Sequence, residues 1–257
     1  MAEKSPKQAL LSHIDIIQAK DIFMELKHLL TPRLQTIAGE AAAVLSSGDV
    51  IADIGSDHAY IPIVLLKNNL ASTAYVTDIH QGPLIRSQKN IAVYDLNDKI
   101  QALLGDGILP LRGIDIDLYI MAGMGGELIC SILDKSGNLP TKMILQPMTA
   151  CYELRKYLGE NQYAIQSEIL CSEKNKIYTV ITAEKINISA RQEEKYYYIS
   201  QKLLERGGPL LELFQKKQIE TVQKAIAQIT RFSQNSSALK KQEELLTYYM
   251  GLQNERK

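Results

Sequence analysis

Residues 50–63 read VIADIGSDHAYIPI, an apolar run that ends in an acid and a glycine before a second apolar run begins. The first run has the length and composition of a buried strand, and the second suits the helix that follows such a strand. Gly55 lets the backbone turn tightly and approach a ligand closely. Because open parallel sheets bind ligands at the carboxyl ends of their strands, this turn is a candidate binding loop.

Short apolar segments alternate with helical patterns after this stretch. The predicted strands are Val50–Ile54, Ala74–Thr77, Ile100–Leu104, Leu118–Ala122, Met143–Leu145, Tyr163–Cys171 and Ile177–Ala183. The predicted helices are Pro62–Asn68, Pro83–Tyr94, Gly126–Lys135 and Tyr152–Asn161. This alternation predicts an α/β fold with a mostly parallel, Rossmann-like, seven-stranded sheet. The last two strands are joined by a short turn, so at least one strand is antiparallel.

Helical patterns flank this α/β region on both sides. Residues 7–30 carry a loose apolar stripe, and Thr31-Pro32 begins another helix that runs to about Leu45. Beyond Glu184, helices are expected over residues 190–206, 210–232 and 238–252. The last two predict an antiparallel hairpin, packed either as a coiled coil or as ordinary helices. Three domains are therefore expected, with residues 1–30 as a helical extension, 31–185 as the α/β domain and 186–257 as a helical domain.

Composition and charge narrow the classes of function. The net charge of the 257 residues is zero, but residues 1–183 carry −4 and residues 184–257 carry +4. A basic third suits a polyanionic partner. No apolar run approaches the roughly 20 residues of a membrane span, and no secretory signal begins the chain, so a cytoplasmic location is expected. Three cysteines and four histidines follow no metal-ligand spacing, so no metal is expected. Nothing calls for an oligomer, and a monomer is favoured.

The turn after Asp53 favours S-adenosylmethionine over a dinucleotide. The GxGxxG pattern is absent, because Gly55 is followed by Ser56 and by the second acid Asp57. An acidic turn would repel a pyrophosphate, whereas S-adenosylmethionine has no phosphate and carries a sulfonium and an ammonium. The alternative reading is a plain strand-to-helix turn in another α/β protein.

Two further acids close the next strands and make that alternative weaker. Asp78 ends the second strand, where a carboxylate can accept hydrogen bonds from both ribose hydroxyls. Asp106 follows the third strand beside Gly107, where an acid could accept from the adenine amino group. Together with the antiparallel hairpin, these acids predict a class I methyltransferase.

Residues on the reaction side follow the fourth and fifth strands. Three glycines in Ala122–Gly126 permit unusual backbone conformations, and this loop is a candidate holder of a flat substrate base, the alternative being a flexible helix start. Gln146 closes the fifth strand and could bond either the base or the loop. Methyl transfer is an in-line displacement that mainly needs alignment and desolvation. Asp57 is the candidate carboxylate for charge on the base, with His58 and Tyr60 able to orient or stack.

Six segments together resemble the bacterial TrmK family of tRNA (adenine(22)-N1)-methyltransferases. They are DIGSDHAYIP (53–62), TDIHQGPL (77–84), LGDGILPL (104–111), AGMGG (122–126), ILQP (144–147) and KIYTV (176–180). The resemblance covers about residues 31–183 and extends in type to the helical, coiled-coil-like C-terminal domain. It implies S-adenosylmethionine as the methyl donor and tRNA as the acceptor, and therefore a role in tRNA modification.

The resemblance also implies positions for the site residues. Arg33-Leu34 resembles an RL element of the family, which places Arg33 near the carboxylate of the cofactor. The expected cofactor-binding residues are Arg33, Asp53, Gly55, Asp78, Asp106, Gly107, Ala122 and Gly123. The expected substrate-side residues are Met124, Gly125 and Gln146, and the expected catalytic residues are Asp57, His58 and Tyr60.

The sequence departs from the family at both ends. Residues 1–28 extend beyond the usual start, and the C-terminal domain matches in type more than in motif. Candidate phosphate contacts are Lys216, Lys217, Lys224, Lys240 and Lys241, the alternative being a solvated helical face. Two other functions stay open at this point: a methyltransferase acting on another RNA, a protein or a small molecule, and a non-catalytic RNA-binding protein that retains the fold.

Overall fold

A seven-stranded sheet organises the α/β part of the chain. The structure is a computed structural model that describes residues 26–137, 140–232 and 236–254. The strands are β1 (Val50–Ile54), β2 (Thr73–Asp78), β3 (Ile100–Leu104), β4 (Leu118–Met124), β5 (Lys142–Pro147), β6 (Tyr163–Glu173) and β7 (Lys176–Lys185). Their order is β3-β2-β1-β4-β5-β7-β6, and β7 runs antiparallel to both of its neighbours. The predicted mostly parallel, Rossmann-like sheet of seven strands is confirmed.

Among the residues that the structure describes, five α-helices accompany the sheet. They are α1 (Pro32–Val44), α2 (Tyr60–Lys67), α3 (Gln81–Val93), α4 (Gly126–Lys135) and α5 (Cys151–Glu160). The predicted start of α1 is confirmed, since the Thr31 side chain accepts a hydrogen bond from the Leu34 N–H and Pro32 occupies the first turn. Short 3-10 helices cover Lys27–Leu29 and Leu109–Leu111. The first of these lies at the end of the predicted helix 7–30, whose residues 7–25 are outside the described residues.

The strands divide their side chains between two hydrophobic cores. Ile51 and Ile120 face a core that includes residues of α1, α2 and α3. Their neighbours Ala52 and Met121 face a second core built with α4 and α5. This alternation follows from the two-residue period of a strand and explains why strands covered on both faces read as continuous apolar runs.

The buried pair Arg155–Glu168 joins α5 to β6. Two guanidinium nitrogens donate to the Glu168 carboxylate, and the closest N–O distance is 2.6 Å. Both side chains are almost completely buried. Removing one partner of such a pair would leave an uncompensated buried charge, so the pair fixes the position of α5 against the hairpin.

The remaining helices belong to a second unit of the chain. The units are Met1–Gln192 and Glu193–Lys257, and the expected three-part division with boundaries after residues 30 and 185 stays a prediction. The second unit contains α6 (Lys195–Tyr198), α7 (Gln201–Arg206), α8 (Pro209–Phe232) and α9 (Ser236–Asn254). Helices α8 and α9 pack against each other. Within the described residues, no helix is long and apolar enough to cross a membrane.

The single helix expected over residues 190–206 is wrong. Two short helices, α6 and α7, occupy this stretch, and Ile199 between them is extended, with φ −137° and ψ 120°. The Ser200 side chain accepts from the Leu203 N–H and so caps α7. Serine at a helix start competes with continuation of a preceding helix, and three consecutive tyrosines favour helix only weakly.

Candidate functional site

A cavity of about 300 Å³ opens at the carboxyl ends of β1 and β4. Twelve residues line it, and they come from the start of α1, the turn after β1, the start of α2 and the end of β4. Of the residues expected from the sequence, the cavity brings together Arg33, Asp53, Gly55, Asp57, His58, Tyr60, Ala122 and Gly123. Leu34, Ser56, Ala59 and Ile61 complete the lining.

Asp53 is the buried acid of this cavity. The residue is 6% exposed, and burial raises the pKa of its carboxyl to about 7, while a hydrogen bond with Ser56 acts in the opposite direction. The cause is the loss of water around the charged form. A desolvated carboxyl that also borders a cavity is suited to receive a cationic group, because the cation would restore the favourable environment that burial removes.

We expect the Asp53→Asn variant to be more stable than the wild type, and increasingly so as the pH rises. Because the pKa of Asp53 is higher in the folded protein than its ordinary value of 3.8, the unfolded chain loses this proton first and stability falls between pH 4 and 7. By this linkage, the stabilisation should be about 3 kcal/mol greater at pH 8 than at pH 5. Urea denaturation at both pH values, with the exposed Asp98→Asn as control, measures it. Parallel pH dependence in wild type and Asp53→Asn would contradict this account.

Helix α3 holds the turn that follows β1. The Ser87 hydroxyl donates to the Ser56 carbonyl at 3.0 Å, and the Asn90 side chain donates to the His58 carbonyl at 2.9 Å. The Arg86 Nε donates to the Asp57 Oδ1 at 2.8 Å, and its Nη2 makes a second short contact with the same oxygen. Three residues of one helix therefore fix three consecutive residues of the turn.

Asp57, His58 and Tyr60 form a connected group at the mouth of the cavity. The His58 Nε2 lies 3.3 Å from the Asp57 Oδ2. The rings of His58 and Tyr60 stack, with centroids 5.1 Å apart and planes within 5°. Ala59 between them adopts a left-handed conformation, with φ 57°, and is buried. Left-handed backbone at an alanine is strained, and such strain is concentrated where a loop must present side chains in a fixed arrangement.

Gln146 connects Arg33 to the loop after β4. Its Oε1 accepts from the Arg33 Nη1 at 2.5 Å and from the Gly123 N–H at 3.1 Å. Its Nε2 donates to the Pro147 carbonyl at 2.9 Å, and the side chain is completely buried. These internal bonds favour the loop-holding alternative over direct contact with a base.

Arg33 is supported from two further directions. Its backbone N–H donates to the Glu173 Oε2 at 3.1 Å, and its guanidinium lies 5.8 Å from the centre of the Tyr178 ring. Both partners belong to the β6–β7 hairpin. The hairpin and β5 therefore hold a cationic group at the edge of the same cavity that contains Asp53. A ligand with one anionic and one cationic group matches this pair.

The glycines of residues 122–126 have different tasks. Gly123 has φ 81° where the pairing of β4 with β5 shifts register, so its left-handed conformation favours glycine. A Cβ on Gly126 would lie 2.3 Å from the Ala150 carbonyl oxygen, so this position requires close approach of two backbones.

Met124 packs beside the Gly55 turn, where its Cε would lie 2.9 Å from a Cβ on Gly55, and Gly125 precedes α4. Neither Met124 nor Gly125 lines the cavity.

Asp78, Asp106 and Gly107 lie outside the cavity but at the same edge of the sheet. The Asp78 Oδ1 accepts from the His80 N–H at 2.7 Å, and the Asp78 carbonyl accepts from the Gly105 N–H. The Asp106 carboxylate lies 3.1 Å from the Lys135 Nζ of α4. The Gly107 carbonyl accepts from the Thr77 hydroxyl at 2.9 Å. The bonds to Gly105 and Gly107 tie the end of β2 to the turn after β3.

Several supporting residues were missed by the sequence analysis. They are Arg86, Ser87, Asn90, Glu173 and Tyr178. A signal existed for Ser87, since it occupies a buried position of α3 between the apolar positions of Leu84 and Ile91. A serine in an apolar stripe indicates a buried hydrogen bond. Glu173 and Tyr178 are distant from Arg33 in the sequence, and no local pattern connects them.

The arrangement of the sheet and its acids defines the class of protein. A parallel sheet closed by an antiparallel hairpin, with an acidic turn where dinucleotide-binding proteins carry phosphate-binding glycines, is characteristic of class I S-adenosylmethionine-dependent methyltransferases. Within that class, the chain belongs to the TrmK family, described as tRNA (adenine(22)-N(1))-methyltransferase, whose model matches residues 51–249.

Individual relatives agree with this family. The tRNA (adenine(22)-N(1))-methyltransferase of Bacillus subtilis is 37% identical over 163 residues, an alignment that spans 62% of this chain and 66% of that protein. The crystal structure of the B. subtilis m1A22 tRNA methyltransferase TrmK covers 87% of this chain and 98% of its own, with TM-score 0.77 and 27% identity. The structure of M. capricolum TrmK with S-adenosylhomocysteine has TM-score 0.75 and 25% identity, and covers 86% and 96%.

Proposed function

We propose that this protein transfers a methyl group from S-adenosylmethionine to N1 of adenine 22 in tRNA. The observation that carries the proposal is the cavity at the sheet edge, which is lined by both the buried Asp53 and Arg33, in a chain of the TrmK family. The B. subtilis relative is named for this reaction, and the M. capricolum relative was solved with the demethylated cofactor product. Because tRNA is the substrate in this proposal, the cytoplasm is the proposed location.

The residues present fit the cofactor. The desolvated Asp53 carboxyl suits the ammonium group of the amino acid end, and Arg33 suits its carboxylate. Asp78 at the end of β2 suits the ribose hydroxyls. Asp106, whose carboxylate already lies 3.1 Å from the Lys135 Nζ, is the proposed acceptor for the adenine amino group. When bound, S-adenosylmethionine supplies an electrophilic methyl group on a sulfonium.

The chain itself aligns the acceptor and accommodates its charge. N1 of adenine attacks with its lone pair, so the methylated base carries a positive charge and no proton needs to be removed for the bond to form. The Asp57 carboxylate at the mouth of the cavity is the proposed group that stabilises this charge. The stacked rings of His58 and Tyr60 are the proposed support for a base taken out of its stack.

The second unit is the proposed contact for the body of the tRNA. Lys216, Lys224, Lys240 and Lys241 are exposed on α8 and α9, and Lys217 is partly exposed. A groove of about 550 Å³ in this unit is lined by Lys195, Lys240 and Lys241 and by Tyr198 and Tyr248, with Glu194 and Glu244 also in its lining. Lysines bind phosphates and aromatic rings stack on unpaired bases, so this groove supports an RNA partner.

A methylation assay on matched tRNAs tests the proposal. We expect labelled methyl from S-adenosylmethionine to enter a tRNA transcript with adenine at position 22, and incorporation to fall at least tenfold when that adenine is replaced by guanine. Equal label in both transcripts would show that a nucleotide other than adenine 22 is methylated. Label found only in a protein or a small molecule would contradict the proposal. A scaffold protein that merely retains the fold would show no transfer, and calorimetry would show whether it binds the cofactor.

A further inference from the structure

The three contacts that α3 makes with the turn after β1 are not equivalent. Ser87 and Asn90 donate hydrogen bonds to backbone carbonyls, so they fix the backbone of the turn independently of the side chains that the turn carries. Arg86 instead contacts the Asp57 side chain, through both Nε and Nη2. Its effect falls on the direction in which that carboxylate points.

Arg86 contacts the cavity only through another residue, Asp57. Asp57 and His58 line the cavity, whereas Arg86 is absent from its lining. The Asp57 Oδ1 accepts from Arg86, and the Oδ2 lies 3.3 Å from the His58 Nε2. The His58 ring in turn stacks on Tyr60. A chain of contacts therefore runs from α3 to the aromatic pair at the mouth of the cavity.

The contribution of this ion pair to stability is small. The Arg86 and Asp57 side chains are 50% and 52% exposed, and exposed pairs of this kind contribute little because water screens the charges. Loss of this contact should therefore leave the fold intact while freeing the Asp57 carboxylate to point elsewhere, and orientation of reacting groups is a large part of catalysis.

We propose that Arg86 is a positioning residue for methyl transfer, which orients Asp57 and, through it, His58 and Tyr60. This inference rests on the proposed function, because it assigns a reacting role to the group that Arg86 orients. A purely neutralising role for Arg86 predicts the opposite change in rate. If Arg86 only neutralised Asp57, its removal would strengthen the field of the carboxylate on the methylated base and raise the rate of methyl transfer.

The test compares Arg86→Gln with Arg86→Lys and with Lys89→Gln. Lys89 is exposed on the same helix, and its replacement by glutamine removes the same single positive charge. For Arg86→Gln we expect kcat with tRNA to fall at least tenfold, with cofactor affinity changed less than threefold and the melting temperature within about 2 °C of wild type. Arg86→Lys should recover part of the loss, since a lysine keeps the charge but not the two-nitrogen geometry. Lys89→Gln should match wild type.

Two results would overturn the assignment. One is an unchanged or increased kcat in Arg86→Gln, and the other is a loss explained fully by weaker cofactor binding or by unfolding. The His58 ring signals in the NMR spectrum give a readout without tRNA, and they should shift in Arg86→Gln but not in Lys89→Gln. If the wild type does not methylate tRNA, the proposed function fails, whereas unshifted His58 signals would overturn the Arg86 assignment separately.

Discussion

Asp78→Ala is expected to weaken the binding of S-adenosylhomocysteine by about 100-fold, which corresponds to about 3 kcal/mol for two lost hydrogen bonds to a charged acceptor. The carboxylate stands at the end of β2, where an acid can accept from both ribose hydroxyls. Alanine removes the acceptor and its charge together. Isothermal titration calorimetry measures the dissociation constant directly.

Two further variants separate binding from local structure. The Asp78 Oδ1 also accepts from the His80 N–H, so alanine disturbs the turn as well as the site. Asp78→Asn keeps an oxygen for that N–H but loses the charge and one acceptor, and it should weaken binding by at least tenfold. Asp98→Ala removes an exposed acid from the loop that precedes β3 and should bind as wild type. Unchanged affinity in Asp78→Ala would refute the ribose assignment.

Arg33→Ala is expected to weaken S-adenosylhomocysteine binding by about 30-fold, because a guanidinium–carboxylate pair of this kind contributes about 2 kcal/mol. Arg33 is held towards the cavity by Gln146 and by Tyr178, so little of its conformational freedom is lost on binding. The same titration measures the effect.

The matched control is a ligand. 5′-Methylthioadenosine has the ribose and the adenine of the cofactor but no amino acid end. Its affinity should therefore be unchanged by Arg33→Ala and should fall with Asp78→Ala. Equal losses for both ligands in Arg33→Ala would show that the variant damages the pocket as a whole and would contradict the carboxylate assignment.

Much of the fold could be predicted because its signals are local. The bounds of β1 and β3 equal the predicted ones, since each is a mostly apolar five-residue segment followed directly by a glycine turn. Helix α4 also matches, because Gly126 and Ser136 mark its two ends. The sequence Thr31-Pro32 marks the start of α1 for the same reason: a capping side chain and a proline act on their own helix turn.

The helical region after residue 190 shows where such signals fail. The apolar spacing of residues 190–206 fits one helix, but Ser200 caps a new one, and its competing hydrogen bond decides the break. A serine within a helical pattern is ordinary, so the pattern alone does not distinguish a cap from an interior residue.

The site was accessible from the sequence only in part. Asp53, Gly55 and Asp57 could be identified because strand, acid and glycine are adjacent in the chain. The role of Gln146 stayed open, since the choice between a base and the loop depends on Arg33, which lies more than one hundred positions earlier and meets it only after folding. Arg86 was missed for the same reason, because its bond to Asp57 joins separate elements.

The central claim is tested most directly by mapping methylated adenosine in tRNA from cells that lack this gene. Mass spectrometry of nuclease fragments should show 1-methyladenosine at position 22 in the parent strain and unmodified adenosine there in the deletion strain. A plasmid carrying the wild-type gene should restore the modification, and one carrying Asp78→Ala should restore markedly less at limiting expression. Retention of 1-methyladenosine at position 22 in the deletion strain, or loss of a different modification instead, would contradict the account.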